Sequence, residues 1–256
     1  MGTKKKKKIE WINILAPFVV LAIIVVILEV LAKSGKVAEY VLPAPSKVVA
    51  GTIKSFGRAI LPDFLFSIKI ILIGFISATI LGLLLAAVFS QFSIVAKATS
   101  PVIIWLVITP MITLVPLVLL WLGNDPNVRV IIVILQASPI ICLNTLTGLT
   151  TIETEKKELA RSVGATRFQA FIKINFMNAM PQVFTGIKLG CIFSIIGSIS
   201  ADFVAKTIGM GNKIIQFTKY VQTDLAYGSI LLVALLGIGM YMLIEAIEKK
   251  VVIWRK

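Results

Sequence analysis

Residues 130–149 read VIIVILQASPIICLNTLTGL, residues 150–181 read TTIETEKKELARSVGATRFQAFIKINFMNAMP, and residues 183–204 read VFTGIKLGCIFSIIGSISADFV. The outer two are apolar runs of about the 20 residues that a helix needs to cross a hydrocarbon core about 30 Å thick. The middle stretch is too polar to lie between them in lipid and must emerge into water. Working outward, four more runs have the same character: Trp11–Ala32, Phe64–Ser90, Pro101–Leu122 and Ala226–Ile247. None alternates apolar and polar residues as a membrane strand would. The composition agrees: 58% of the 256 residues are hydrophobic, 15% are charged, and the mean hydropathy is +0.98. Soluble domains run nearer half apolar and about a quarter charged. The expected fold is all-α, a polytopic membrane protein of six transmembrane helices with a cytoplasmic helix–turn–helix loop at 150–181. No linker or low-complexity boundary divides it, so residues 1–256 are read as one domain, opening on a basic stretch at 1–10.

Charge sets the direction. The formal net charge is +14, gathered at the ends of the apolar runs and not on an aromatic-studded face, so membrane anchoring is expected and nucleic acid is not. With the N-terminus inside, the inner segments carry 15 Lys and Arg residues and the outer ones 9, among them Arg129 and Lys213. The positive-inside bias therefore places both termini in the cytoplasm. Val30-Leu31-Ala32 has the small residues of a signal cleavage site, but the apolar run is longer than a signal core and contains Glu29, so a retained span is expected. Between the first two spans, Leu42-Pro43-Ala44-Pro45 forces an extended entry. Ser46 is then placed to cap a short amphipathic helix from Lys47 towards Phe56 on the outer surface.

There is no histidine, and Cys142 and Cys191 sit singly in apolar runs, so no metal centre, disulfide framework or cofactor is expected. No Gly-x-x-x-x-Gly-Lys-Ser/Thr loop occurs, so the chain does not itself hydrolyse nucleotide.

The loop at 150–181 is built for a specific shape. Thr150 and Glu153 have capping-box spacing, Arg161 suits the last turn of a helix, and Gly164 supplies the left-handed residue that commonly ends one. Thr166 and Gln169 form a second capping box at once. Leu159 and Val163 line one helix; Phe168, Phe171, Ile172 and Phe176 line the other. A paired-helix loop with an apolar face and a rigid corner can lie on the membrane surface or push against a partner protein.

Glu158-Leu159-Ala160, three residues, Gly164, nine residues and Ile174 resemble the coupling loop of ATP-binding-cassette importer permeases, usually Glu-Ala-Ala, three residues, Gly, nine residues, Ile, one residue, Leu-Pro. Leu159 stands for the first alanine, and Phe176-Met177 stand for Leu-Pro, so the second helix is expected to run on towards Pro181. Leu42-Pro43-Ala44-Pro45, Pro116 through Trp121 to Gly123, Pro139 with Asn144-Thr145 and Gly148, and Ala201-Asp202 with Gly209-Met210-Gly211 resemble, in order, motifs of the nitrate/sulfonate/taurine/bicarbonate branch. Asp202 stands where that branch has Glu.

The resemblance implies a bacterial inner-membrane permease working as a homodimer with two cytoplasmic ATPase subunits and an extracytoplasmic substrate-binding protein. Glu158, Leu159, Ala160, Gly164, Phe168, Phe171 and Ile174 would form the ATPase-coupling loop. The solute would be a nitrate-, sulfonate- or taurine-like anion or a vitamin precursor. Asp202, Ser198, Trp121 and Asn144 are the candidates for the translocation path, which is expected first along spans three and five, with Pro110 and Pro116 expected to kink the third. A secondary transporter would show an internal repeat and paired discontinuous helices. A membrane-embedded enzyme would show converging acids or nucleophiles. The sequence offers neither.

Overall fold

The computed structural model describes residues 2–151, 162 and 164–254, with side chains described from residue 15 onward apart from 93 and 167. Glu158, Leu159 and Ala160, together with Glu153, Arg161 and Val163, lie outside the described residues. The described elements are helical: α1 (Gly2–Lys33), α2 (Pro45–Ser55), α3 (Leu61–Ser90), α4 (Ser93–Ile108), α5 (Met111–Leu122), α6 (Pro126–Thr150), α7 (Arg167–Ala170), α8 (Met177–Ala205), α9 (Met210–Lys219) and α10 (Thr223–Val251). No strand occurs among the described residues. Five helices are long and apolar enough to cross a membrane, and a bent pair makes a sixth. The polytopic all-α fold is the one the apolar runs require.

Three local readings change. The third span is not one kinked helix: α4 ends at Ile108, Thr109 and Pro110 are extended, and α5 leaves at 92° to α4. Pro110 cannot donate the hydrogen bond that would continue α4, whereas Pro116 sits inside α5 without breaking it. Ser46 caps nothing. Ala44 is the extended N-cap and Pro45 the first helical residue, while Ser46 turns to Glu29, its hydroxyl donating to Oε1 at 2.6 Å and its backbone N–H to Oε2 at 3.0 Å. Nor is the amphipathic helix separate. A π-helical turn at Phe56–Ile60 carries α2 into α3 as one helical stretch, Pro45–Ser90.

The chain forms two compact units, Met1–Leu61 with Ile214–Leu231 and Pro62–Lys213 with Leu232–Lys256. In the first, α2 packs on the start of α10, with Gly51 against Asp224 and Gly228 against Thr52. Lys33 pairs with Glu29 at 2.6 Å, one helical turn away.

The second unit is organised by α6. Gly148 faces Ala179 and Gln182, Gly186 faces Asn144, Gly190 faces Ile141, and Gly197 faces Gln136. One number rises as the other falls, so α6 and α8 run antiparallel. A side chain at Gly186 would place its Cβ 2.9 Å from that of Asn144, so the glycines let the two backbones approach. Against α3 the register rises together, Gly74 with Val133 and Gly82 with Ile141, so α3 and α6 are parallel. Parallel neighbours joined through α4 and α5 require one crossing between them, which makes the bent pair a broken span and not a re-entrant loop. Across α8, Ile195 meets Gly237 and Lys188 meets Glu248, so α10 is antiparallel to α8.

Gly190→Val should overpack the seam, where a Cβ would fall 2.5 Å from Ile141 Cδ1, and cost about 1–3 kcal/mol. Gly239→Val, with nothing within 4 Å, is the control. Thermal unfolding of the detergent-purified protein should show a lowered midpoint for the first and little change for the second.

Candidate functional site

The described residues of the polar segment between α6 and α8 form a corner and a helix. Gly164 takes φ +68° in open space, the left-handed conformation expected of a helix-ending glycine. Thr166 and Gln169 form the capping box: the Thr166 N–H donates to Gln169 Oε1 at 3.0 Å, and the Gln169 N–H to Thr166 Oγ1 at 3.3 Å. The helix thus started does not stop. After α7, a π-helical turn at Phe171–Phe176 leads into α8, and Pro181 is absorbed within that helix. Phe168–Ala205 is one 38-residue helical stretch. At 1.5 Å per residue it is about 57 Å long against a hydrocarbon core of about 30 Å, so part of it must lie outside, and Gln169, Lys173, Asn175 and Asn178 put that part at the Phe168 end. Thr150 lies in the last turn of α6, its hydroxyl donating to the Leu146 carbonyl at 2.8 Å; Glu153, its capping-box partner, lies outside the described residues.

The apolar stripe on this helix divides in two. Phe171 and Phe176 pack onto a core cluster containing Ala86, Cys142, Leu146 and Ala179. Phe168 is 72% exposed and Ile172 is also exposed, four residues apart on the outer side; Ile174 is half-buried. One face holds the segment to its own bundle and the other leaves apolar groups exposed.

The opposite end of α8 holds a charge cluster. Arg129 and Asp202 are each 1% exposed, with Nη1 3.2 Å from Oδ1. Arg129 also donates to the Ile208 carbonyl, and its guanidinium lies 5.0 Å from the centre of the Phe66 ring. The second Asp202 oxygen accepts from Ser67 Oγ and from the Gly211 N–H, both at 3.3 Å. Asp63 accepts from the Gly209 N–H at 2.9 Å and pairs with Lys213 at 3.1 Å; Ser67 Oγ accepts from the Met210 N–H at 2.8 Å. Three free N–H groups at the start of α9 are therefore satisfied by side chains of α3 and α8, where a helix N-terminus favours negative charge. Asn124 Nδ2 donates to the Ala205 carbonyl at 3.0 Å, closing the cluster from the α5–α6 turn. The α8–α9 connection is fixed from three helices and one turn.

This placement differs from what sequence position suggests. Arg129 and Lys213 count as outer-loop charges in the sequence, yet both are engaged within the bundle. Lys188 finds its partner within the chain, Glu248 at 2.6 Å, with the Tyr241 ring 5.7 Å away. The four path candidates do not converge. Trp121 is 74% exposed on α5; Asn144 donates to the Ile140 carbonyl under Gly186; Ser198 is enclosed with no partner for its hydroxyl; Asp202 is consumed by the cluster. Gly186 and Ser198 are 12 residues apart on α8, about 18 Å along the axis. The break at Pro110 adjoins a cavity of ≈ 480 Å³ among α3–α6, lined by apolar residues including Leu81, Phe89, Val102 and Met111, with Ser138 on its wall.

Comparison with known proteins gives consistent matches. Residues 70–253 match the family described as binding-protein-dependent transport system inner membrane component. The chain is 26% identical over 221 residues to the formylaminopyrimidine transport permease protein ThiX of Halalkalibacterium halodurans, covering 85% of this chain and 87% of that one. It is 25% identical over 256 residues to the putative aliphatic sulfonates transport permease protein SsuC of Bacillus subtilis, covering 98% and 90%. It is 19% identical over 240 residues to the taurine transport system permease protein TauC of Escherichia coli, covering 91% and 87%.

Removing one member of the Arg129–Asp202 pair leaves a buried charge uncompensated. Arg129→Met or Asp202→Leu alone should therefore cost about 3–5 kcal/mol, and the double variant less than either. Denaturant or thermal unfolding of the four proteins measures the coupling. Additive losses would show that the two charges act independently.

Proposed function

The chain belongs to the inner membrane components of binding-protein-dependent transport systems, and from that premise we propose that it lines the solute path of an ATP-driven importer and is moved by a separate ATPase through residues 150–181. The observation that carries this reading is the unbroken helical stretch Phe168–Ala205. One end presents exposed Phe168 beyond the Gly164 corner, and the other is locked to α3 and α6 through Asp202. A push on such a rod at its projecting end is delivered to the far side of the bundle.

In this reading Glu158, Leu159, Ala160, Gly164, Phe168, Phe171 and Ile174 form the coupling loop. Phe168 and Ile172 seat in a groove of the ATPase, while Phe171 and Phe176 transmit the displacement to the core. Both termini face the cytoplasm, in keeping with the 15-to-9 charge bias, and the Asp202 cluster faces outward. Residues 1–256 act as one permease domain. Two copies related by a two-fold axis present two coupling loops to two ATPases. An external binding protein delivers the solute, which we assign to the small anions and vitamin precursors. The relatives are named for aliphatic sulfonates, taurine and formylaminopyrimidine. Among the path candidates, Trp121 is the exposed one, on the helix that follows the break. Asp202 acts through the cluster, by fixing the α8–α9 connection, and touches no solute in this conformation.

Two experiments test the reading. In a Cys-free background, single cysteines at Thr154 and Lys250 should be shielded from an impermeant thiol reagent in intact cells, and one at Lys206 should react. Labelling at Thr154 from outside would overturn the orientation. Gly164→Val forces a β-branched residue to φ +68°, a local strain on the order of 1–3 kcal/mol. Membrane insertion should persist, while uptake and binding-protein-stimulated ATP hydrolysis should fall at least tenfold. Normal uptake at normal protein levels would make the loop a passive connector.

A further inference from the structure

Two connections on the same side of the chain's first unit, α1–α2 and α9–α10, are joined by hydrogen bonds. Thr223 Oγ1 donates to the Glu39 carbonyl at 3.4 Å, and the Tyr227 hydroxyl donates to the Val41 carbonyl at 3.2 Å. Between them lies a groove of ≈ 340 Å³ walled by Glu39, Tyr40, Pro43, Val221, Thr223 and Asp224. Tyr40 and Val221 are exposed at 63% and 64%, and Tyr220, next to Val221 in the chain, is 76% exposed. Its lining is acidic, since Glu39 and Asp224 both contribute to it, and Lys47, 2.6 Å from Glu39, pairs with the first.

Val221 is the anomaly. The Val221 N–H donates to the Thr218 carbonyl at 3.1 Å and the Gln222 N–H to the Phe217 carbonyl at 2.8 Å, the double bond that closes a helix with a left-handed residue. That residue is ordinarily glycine, yet here a β-branched valine takes φ +57°. A plain connector gains nothing from a strained, exposed valine. Such residues persist where the side chain has a task.

Anionic lipid does not fit this surface. Phosphate headgroups would meet two carboxylates, and a simple interfacial anchor needs no acidic groove between its aromatic rings. A protein knob carrying a cation fits, because tyrosine and arginine are enriched among the few residues that carry an interface. We propose that this groove is the docking point of the extracytoplasmic binding protein, receiving a lysine or arginine side chain between Tyr40 and Val221 with Asp224 as its counter-charge. The proposal rests on the importer reading above, which supplies the partner and the side of the membrane.

The test uses the complete complex, this chain with its ATPase in nanodiscs, titrated with its binding protein while ATP hydrolysis is followed. Asp224→Asn and Val221→Gly should each raise the half-maximal binding-protein concentration about tenfold, with the unstimulated and saturated rates unchanged. Val221→Gly is decisive, because glycine suits φ +57° and a merely structural valine would be replaced without effect. A photo-cross-linking residue in place of Tyr220 should, in cells, form an adduct identified by peptide mass as the binding protein. Unchanged half-maximal concentrations in both variants, or adducts only with lipid or with a second copy of this chain, would overturn the proposal. If the unaltered complex is not stimulated by binding protein at any concentration, the importer reading itself falls.

Discussion

Where α6 and α8 touch, there is no room for side chains on one side of the contact. Gly148, Gly186, Gly190 and Gly197 meet Gln182, Asn144, Ile141 and Gln136 in strict antiparallel register, and the same register ends on Arg129 and Asp202. In lipid, apolar side chains gain little by leaving one helix face for another, so close backbone approach and buried polar pairs must hold helices together. The seam supplies both. It also fixes the rotation of α8, because any turn of the helix would drive a side chain into a backbone and pull Asp202 from Arg129. The parallel contact of α3 with α6 and the Lys188–Glu248 link to α10 are built on this pair.

From that constraint follows the mechanical character of the chain. A helix whose rotation is fixed along its length transmits a displacement instead of absorbing it. Phe168–Ala205 is such a helix, and its projecting end is the one that opens at Gly164. The compliant elements lie elsewhere: the break at Thr109–Pro110, and the π-helical turn at Phe56–Ile60, where the regular α-helical hydrogen bonding is interrupted. Each precedes or interrupts a membrane helix. Motion imposed at the coupling segment would be taken up at these places while the seam stays intact.

How much of this could be read from the chain alone depends on the range of the interaction. The spans were legible because lipid admits no other use for runs of that length and hydropathy. Gly164 and the Thr166–Gln169 capping box were legible because their partners lie within a few residues. Thr150 carries a second bond that its spacing does not announce, since a threonine hydroxyl can also serve the end of the helix it sits in, and here it donates to the Leu146 carbonyl of α6. Ser46 misled for a related reason: its cap spacing is real, but Glu29, seventeen residues earlier, competes for it. Proline announced a disturbance at Pro110 without its size, because the 92° bend is set by what α4 and α5 pack against. Arg129 was the largest omission. Beside a helix start at the membrane edge it reads as a loop cation, and its partner lies 73 residues away. The only hint was a lone acid, Asp202, at the far end of an apolar run, which needs a cation from somewhere.

The central claim is that the coupling segment and the α8–α9 connection are joined by one rigid helix. It is tested most directly by a distance at the end the ATPase never touches. In the homodimer proposed above, with a single spin label at Thr207 in each copy, pulsed electron paramagnetic resonance reports the separation between the two connections. The account predicts that trapping the ATPases closed on ATP shifts that distance as a whole distribution. An unchanged distribution at Thr207, in complexes where closure of the ATPases is verified, would contradict it.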